Sequence, residues 1–227
     1  MSLFILAIAP SIALIVLFYL RDKYDKEPWG LLVKVFLLGA LAIVPVAFIE
    51  MGLFWVFGLD PYVPSSLLAN LLSALFLVAV IEEGAKFFIV RKFAWKKKAF
   101  NEPYDGIMYA VIASLGFATI ENILYVLPMG IEIGLLRAFL SVPMHALTAV
   151  IMGYYIGLAK YSKDPYVTRH LVKGFVVAVL FHGFFNFFVS SQVEFLIGMA
   201  PILIGYAWLV GLRASKWHAE NSPFKKK

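Results

Sequence analysis

Residues 76–90, FLVAVIEEGAKFFIV, read as the middle of a membrane-spanning helix until Glu82, Glu83 and Lys86 interrupt them. On insertion scales a charged residue at a helix centre costs about 2.5–3.5 kcal/mol, so three cost roughly 7–10 kcal/mol. The apolar remainder of the span offsets only about 4–8 kcal/mol of that. Such a span has to turn its ionisable groups towards a bundle interior or a wet cavity, where they find partners. At about 100° per residue, Lys86 comes back to roughly 40°, between Glu82 at the origin and Glu83 at about 100°. One ammonium can therefore reach either carboxylate. Two carboxylates against one cation leave a negative excess, which favours a retained proton or a further partner such as histidine.

The rest of the chain has the same solvent in view. Of 227 residues, 62% are hydrophobic and 15% charged, and mean hydropathy is +0.87. Soluble domains average roughly 45–50% apolar and about 25% charged, so the composition is that of a membrane protein. There is no cysteine, which excludes thiolate nucleophiles, disulfides and cysteine-ligated metals. The first twenty residues lack a basic leader and a small-residue cleavage site, and read as a retained span. The net charge of +6 does not point to nucleic acid, because the basic residues cluster at span ends, where they serve anchoring and topology.

A span needs about 20 mostly apolar residues. Seven segments qualify, at 2–20, 31–57, 66–90, 106–127, 134–159, 171–190 and 193–212, the second interrupted by Pro45 and Gly52 and open to a kink or a re-entrant path. The expected fold is an all-α polytopic transmembrane bundle of about seven spans. Alternate connections carry the basic residues: Arg21, Lys23 and Lys26; Arg91, Lys92 and Lys96 to Lys98; Lys160, Lys163 and Arg169; and the tail with Arg213, Lys216 and Lys225 to Lys227. The other connections carry almost none, with Arg137 alone near Pro128. The positive-inside rule then puts the N-terminus out and the C-terminus in. Residues 1–213 form one transmembrane domain and 214–227 a basic cytoplasmic tail.

Other spans supply partners for the glutamate pair. Residues 117–122, FATIEN, bring Glu121 and Asn122; SVPMHALTAV brings His145; HGFFN at 182–186 places His182 and Asn186 on one helical face. Counting about 1.5 Å per residue from the outer edges, Glu121 lies roughly 9 Å deep, His182 about 12 Å, His145 about 16 Å and Glu82 about 18 Å. One cluster in the outer half of the membrane is expected. A polar staple between helices is the bland reading, but a glutamate doublet is costly for that purpose. A single membrane histidine or asparagine often only bonds a neighbouring helix, and Glu50, without a polar partner in its own span, reads as structural. His170 and His218 lie in basic interfacial segments and read as solvated.

Two chemistries suit this cluster. One is hydrolysis, with a carboxylate deprotonating water while His and Asn stabilise an oxyanion. The other is a proton relay in a transporter, or a non-catalytic polar cavity. Zinc on His145, His182 and a glutamate is a third arrangement; without HExxH, and with the histidines on different spans, no metal or other cofactor is expected.

At these residues the chain resembles the PrsW family of glutamic-type intramembrane proteases, which belongs to a wider group with the type II CAAX prenyl endopeptidases. EEGAK at 82–86 is similar to the family's EExxK, FATIEN to FxxxEN, and HGFFN to the final HxxxN/D motif; the His145 segment and LRDKYDKEP upstream are alike too. The likeness runs in order over residues 8–213. It implies that Glu82 is the general base for a hydrolytic water, tuned by Glu83 and Lys86, that His182 and Asn186 hold the oxyanion, and that His145 or Glu121 assists, with Asn122 supporting. Where the CAAX enzymes carry a histidine in the second motif, this chain has Glu121. The resemblance further implies a bacterial plasma-membrane enzyme whose substrate is a single-span protein of anti-sigma-factor type, cut on the extracytoplasmic side during stress signalling.

Overall fold

In the computed structural model every residue is described except 1, 61, 62, 64, 65, 164, 226 and 227. The connection at 58–65, expected to carry no basic residue, and the last two lysines of the tail therefore lie wholly or partly outside the described residues. The described elements are all helical, with no strand among them. They are α1 (Leu3–Arg21), α2 (Trp29–Val56), α3 (Leu67–Leu72), α4 (Val80–Ile89), α5 (Tyr104–Phe139), α6 (Ser141–Lys160), α7 (Tyr166–Ser190) and α8 (Glu194–Glu220). Two π-helical stretches, π1 (Ser73–Ala79) and π2 (Val90–Ala94), flank α4 and join it to its neighbours.

Among the described residues, six helical runs are long and apolar enough to cross a membrane. One of them, Tyr104–Lys160, counts 57 residues, far beyond the roughly 20 that a bilayer requires. It folds back on itself: a methyl group at Gly106 would stand 2.4 Å from the Gly153 carbonyl oxygen, so α5 and α6 touch backbone to backbone. In lipid, where burying apolar surface drives little association, such small-residue contacts hold helices together. The chain is interrupted twice, at Gly130, inside the stretch 128–133 where the apolar pattern divides, and again at Leu140. The helix kinks at Gly130 (φ 85°) and resumes to Phe139, so 134–139 belong to α5 and α6 begins only at Ser141. α2 continues through Pro45 as one helix of 28 residues rather than turning back.

The core lies between α5 and α6. Residues 104–119 of α5 and 142–153 of α6 are buried almost without interruption, and α2 reaches them through Gly116, where a methyl group would meet the Phe36 carbonyl at 2.1 Å. At the end of the bundle that carries the first turn, 22–28, Asp105 in the first turn of α5 folds the preceding loop onto the helix, its carboxylate accepting from the Asn101 and Glu102 amides at 2.6 and 2.8 Å. Tyr109 donates its hydroxyl to Glu27 there. Asp22 is buried beside them with no partner for either carboxylate oxygen, and burial together with the nearby Glu102 pushes its pKa up to about 7.

α8 runs unbroken past residue 213 to Glu220. His218 in its last turn is not solvated as its sequence context suggested. It is fully buried, bonds the Tyr154 carbonyl through Nε2 at 2.9 Å and packs its ring on Tyr154 at 4.4 Å. His170 is half-buried against the Tyr155 ring.

Candidate active site

α4 is ten residues long and lies between two π-helical stretches. Each π turn rotates the helix relative to a regular α register, a device common at functional sites. The face it presents inward carries Glu82, Glu83 and Lys86, all buried. Lys86 Nζ lies 3.0 Å from Glu82 Oε2 and 2.8 Å from Glu83 Oε1, as the i,i+4 and i,i+3 spacing requires. Its third proton reaches Nδ1 of His145 on α6 at 3.1 Å. The ammonium also stands 4.7 Å from the centre of the Phe117 ring, the first residue of FATIEN.

These contacts fix a histidine tautomer. An ammonium only donates, so Nδ1 of His145 accepts, and the ring proton sits on Nε2. Nε2 is 2.8 Å from Glu121 Oε2, which takes that proton as its hydrogen bond. His145 is held from behind as well, since the Ser114 hydroxyl donates to its backbone carbonyl at 2.8 Å. On α7, Nδ1 of His182 donates to Glu83 Oε1 at 2.8 Å. Its Nε2 then faces Glu82 Oε2 across 3.9 Å. The two imidazoles meet edge to face, 5.1 Å between centres. Gly183 makes the approach feasible: a methyl group there would stand 2.5 Å from a Leu75 side-chain carbon and 3.0 Å from the Leu75 Cα in π1.

Glu82, Glu83, Glu121, His145 and His182 thus come together as expected, with Lys86 at their centre. His145 sits four residues from the start of α6, about 6 Å rather than 16 Å along its helix, because 134–139 are not part of that helix. Asn186 is half-buried one turn beyond His182 on α7. Asn122 is fully buried and donates Nδ2–H to the Ala7 carbonyl at 2.7 Å, tying α1 to the site.

Two further charged groups belong here. Glu50, read from sequence as structural and partnerless, is close enough to Glu82, Glu121 and Lys86 for their charges to act on it, and its Oε1 is buried without a hydrogen bond. Arg137, read only as a loop charge, forms an ion pair with Glu121 Oε1 at 3.1 Å and donates Nε–H to Asn122 Oδ1 at 2.8 Å. In an unbroken helix sixteen residues would separate Arg137 from Glu121 by about 24 Å; the Gly130 break folds it back. The PMG triplet at 128–130 was the sequence signal for that reversal.

Glu82, His145 and His182 also offer three donor atoms within 4.8 Å of one another. Each histidine gives its other nitrogen to a carboxylate, Glu121 or Glu83, the arrangement that orients imidazoles on a metal. The donor set therefore fits a zinc-like ion, although Lys86 holds Glu82 Oε2 and His145 Nδ1 in the same space.

Residues 27–212 match the model of the family described as PrsW family intramembrane metalloprotease. Among curated relatives, Protease PrsW of Bacillus subtilis (strain 168) is 39% identical over 209 residues, covering 92% of each chain. Protease PrsW of Oceanobacillus iheyensis is 36% identical over 98% of each, and that of Clostridioides difficile (strain 630) is 34% identical over 93% of this chain and 89% of its own. No solved structure matches.

Proposed function

The chain belongs to the PrsW family of intramembrane proteases, and from that premise we propose that it hydrolyses a peptide bond of a membrane-anchored protein with a water activated by Glu82. The observation that carries this reading is the Glu82–Lys86–Glu83–His182 constellation: a carboxylate 3.0 Å from an ammonium and 3.9 Å from an imidazole nitrogen. Water lying in front of Glu82 gives it one proton and attacks the scissile carbonyl. With both ring nitrogens protonated, His182 donates Nδ1–H to Glu83 and Nε2–H to the oxyanion, which the Asn186 carboxamide meets from one turn away. As the C–N bond breaks, Glu82 returns its proton to the leaving amine. His145, its tautomer held by Lys86 and Glu121, walls the opposite side of the water.

A second reading rests on the convergence of Glu82, His145 and His182. A metal ion held by those three would act as Lewis acid on water and carbonyl, and His182 would then have to offer Nε2 unprotonated. The two readings differ in the protonation of one nitrogen.

We further read the site as opening to the extracytoplasmic side of a bacterial plasma membrane. Its side chains lie near the N-terminal ends of α1 and α6 and the C-terminal ends of α2 and α7, and the connections at that end carry almost no basic residues. The substrate class is a single-span protein of anti-sigma-factor type, whose helix must unwind locally to expose a peptide bond. To test the reading, purified wild type and Glu82→Gln are incubated with a panel of single-span membrane peptides and the products mapped by mass spectrometry. Cleavage by the wild type alone supports it; equal cleavage by folded Glu82→Gln defeats it.

A further inference from the structure

Arg137 lies outside all the motifs that carry the family resemblance, yet it makes the outermost ionic contact of the site. It is half-buried, with 11% of its side chain exposed, and Glu121 keeps 16%. Three groups of α5 grip it: Glu121 Oε1 at 3.1 Å, Asn122 Oδ1 at 2.8 Å, and the Tyr125 ring, whose centre lies 4.4 Å from the guanidinium carbon. The planar fork of a guanidinium suits this grip, because neighbouring N–H groups on one edge face the two acceptors while the flat face stacks on the ring. Glu121 in turn uses its second oxygen for His145 Nε2 at 2.8 Å. One carboxylate is thus held on both sides, by guanidinium and imidazole.

We propose that Arg137 is a positioning residue for hydrolysis: by clamping Glu121 it fixes the His145 ring with the proton on Nε2 and with Nδ1 turned to Lys86. Without the clamp, Glu121 is free to swing towards the water at the bundle end, and His145 loses the partner that selects its tautomer. The Gly130 break gives the clamp its geometry, since Gly130 returns Arg137 to a helix it would otherwise leave behind.

The inference rests on the protease reading for its kinetic test but not for its spectroscopic one. With only four histidines in the chain, nitrogen NMR of histidine-labelled protein in detergent resolves the two ring nitrogens of His145, assigned by their loss in His145→Gln. In wild type the Nδ1 signal is that of an unprotonated nitrogen. Arg137→Gln is expected to replace it with signals averaged between tautomers, and to lower kcat by on the order of 10–100-fold, as loss of an outer partner of a site histidine does, with KM little changed. In a Glu121→Gln background Arg137→Gln is expected to add no further loss, because the two act through one contact. Arg137→Lys is expected to recover part of kcat; it also serves for the tautomer measurement should Arg137→Gln not fold. Unmoved His145 signals in the folded variant, or kinetic losses that multiply across the two sites, would overturn the proposal. Failure of the protease reading is recognised separately, as no cleavage by wild type, and leaves the tautomer result standing.

Discussion

The Lys86 ammonium donates to Nδ1 of His145 at 3.1 Å, a contact between residues 59 positions apart that ties α4 to α6. The same nitrogen is paired with two buried glutamates, so its loss has a structural effect before any chemical one. Removing one partner of a buried ion pair costs about 3–5 kcal/mol. Lys86→Met should therefore lower the thermal midpoint in detergent sharply. Adding Glu83→Gln should restore much of that midpoint without restoring cleavage, which differential scanning fluorimetry and a peptide assay together would check.

Gly183 sets how closely α7 approaches π1. Gly183→Ala puts a methyl group against the backbone of Leu75 as well as its side chain, an overpacking of about 1–3 kcal/mol. It should also draw His182 away from Glu83, so activity should fall further than stability. A Leu75→Ala exchange should recover stability in part and activity less, since the Leu75 Cα remains in place.

Gly130 has φ 85° and ψ −166°, a region that is essentially glycine's own, with open space around it. Gly130→Ala meets no clash, so its effect isolates backbone strain of about 1–3 kcal/mol. Straightening α5 there would carry Arg137 away from Glu121. The expected result is a small drop in midpoint and a fall in kcat like that of Arg137→Gln.

The legibility of the site followed its periodicity. Glu82, Glu83 and Lys86 were placed together by helical spacing alone, and the convergence of His145 and His182 followed from depth and composition. From sequence Arg137 reads only as a loop charge, because its partner Glu121 lies beyond a break in the same helix, which no periodic count crosses. The sequence sets His145 too deep because the apolar pattern over 134–159 is continuous where the backbone breaks at Leu140. The π turns beside α4 have no sequence signature of their own, and the burial of His218 depends on α6 packing against α8, a tertiary fact. Glu50 reads as partnerless in its own span because the charges that act on it stand on α4 and α5.

Asp22 lies in the turn after α1, outside the spans, with its pKa raised from 3.8 to about 7. Between those values the folded chain keeps a proton that the unfolded chain has released, so stability falls as pH rises from about 4 to 7 and levels off above. Asp22→Asn removes this contribution. Thermal midpoints at pH 5 and pH 8 should lie closer together in the variant than in wild type, with the gain at pH 8; an unchanged gap would exclude Asp22 as a source of the slope.

The water-activating role of Glu82 is tested most directly by the cleavage rate of purified enzyme, on a peptide it is known to cut, after exhaustive dialysis against a strong zinc chelator. Glu82 acting through its own carboxylate predicts an undiminished rate in metal-free buffer and no response to added zinc. A rate that disappears on chelation and returns in proportion to zinc bound, one ion per chain, would contradict it and give the Glu82, His145 and His182 donors to a metal instead.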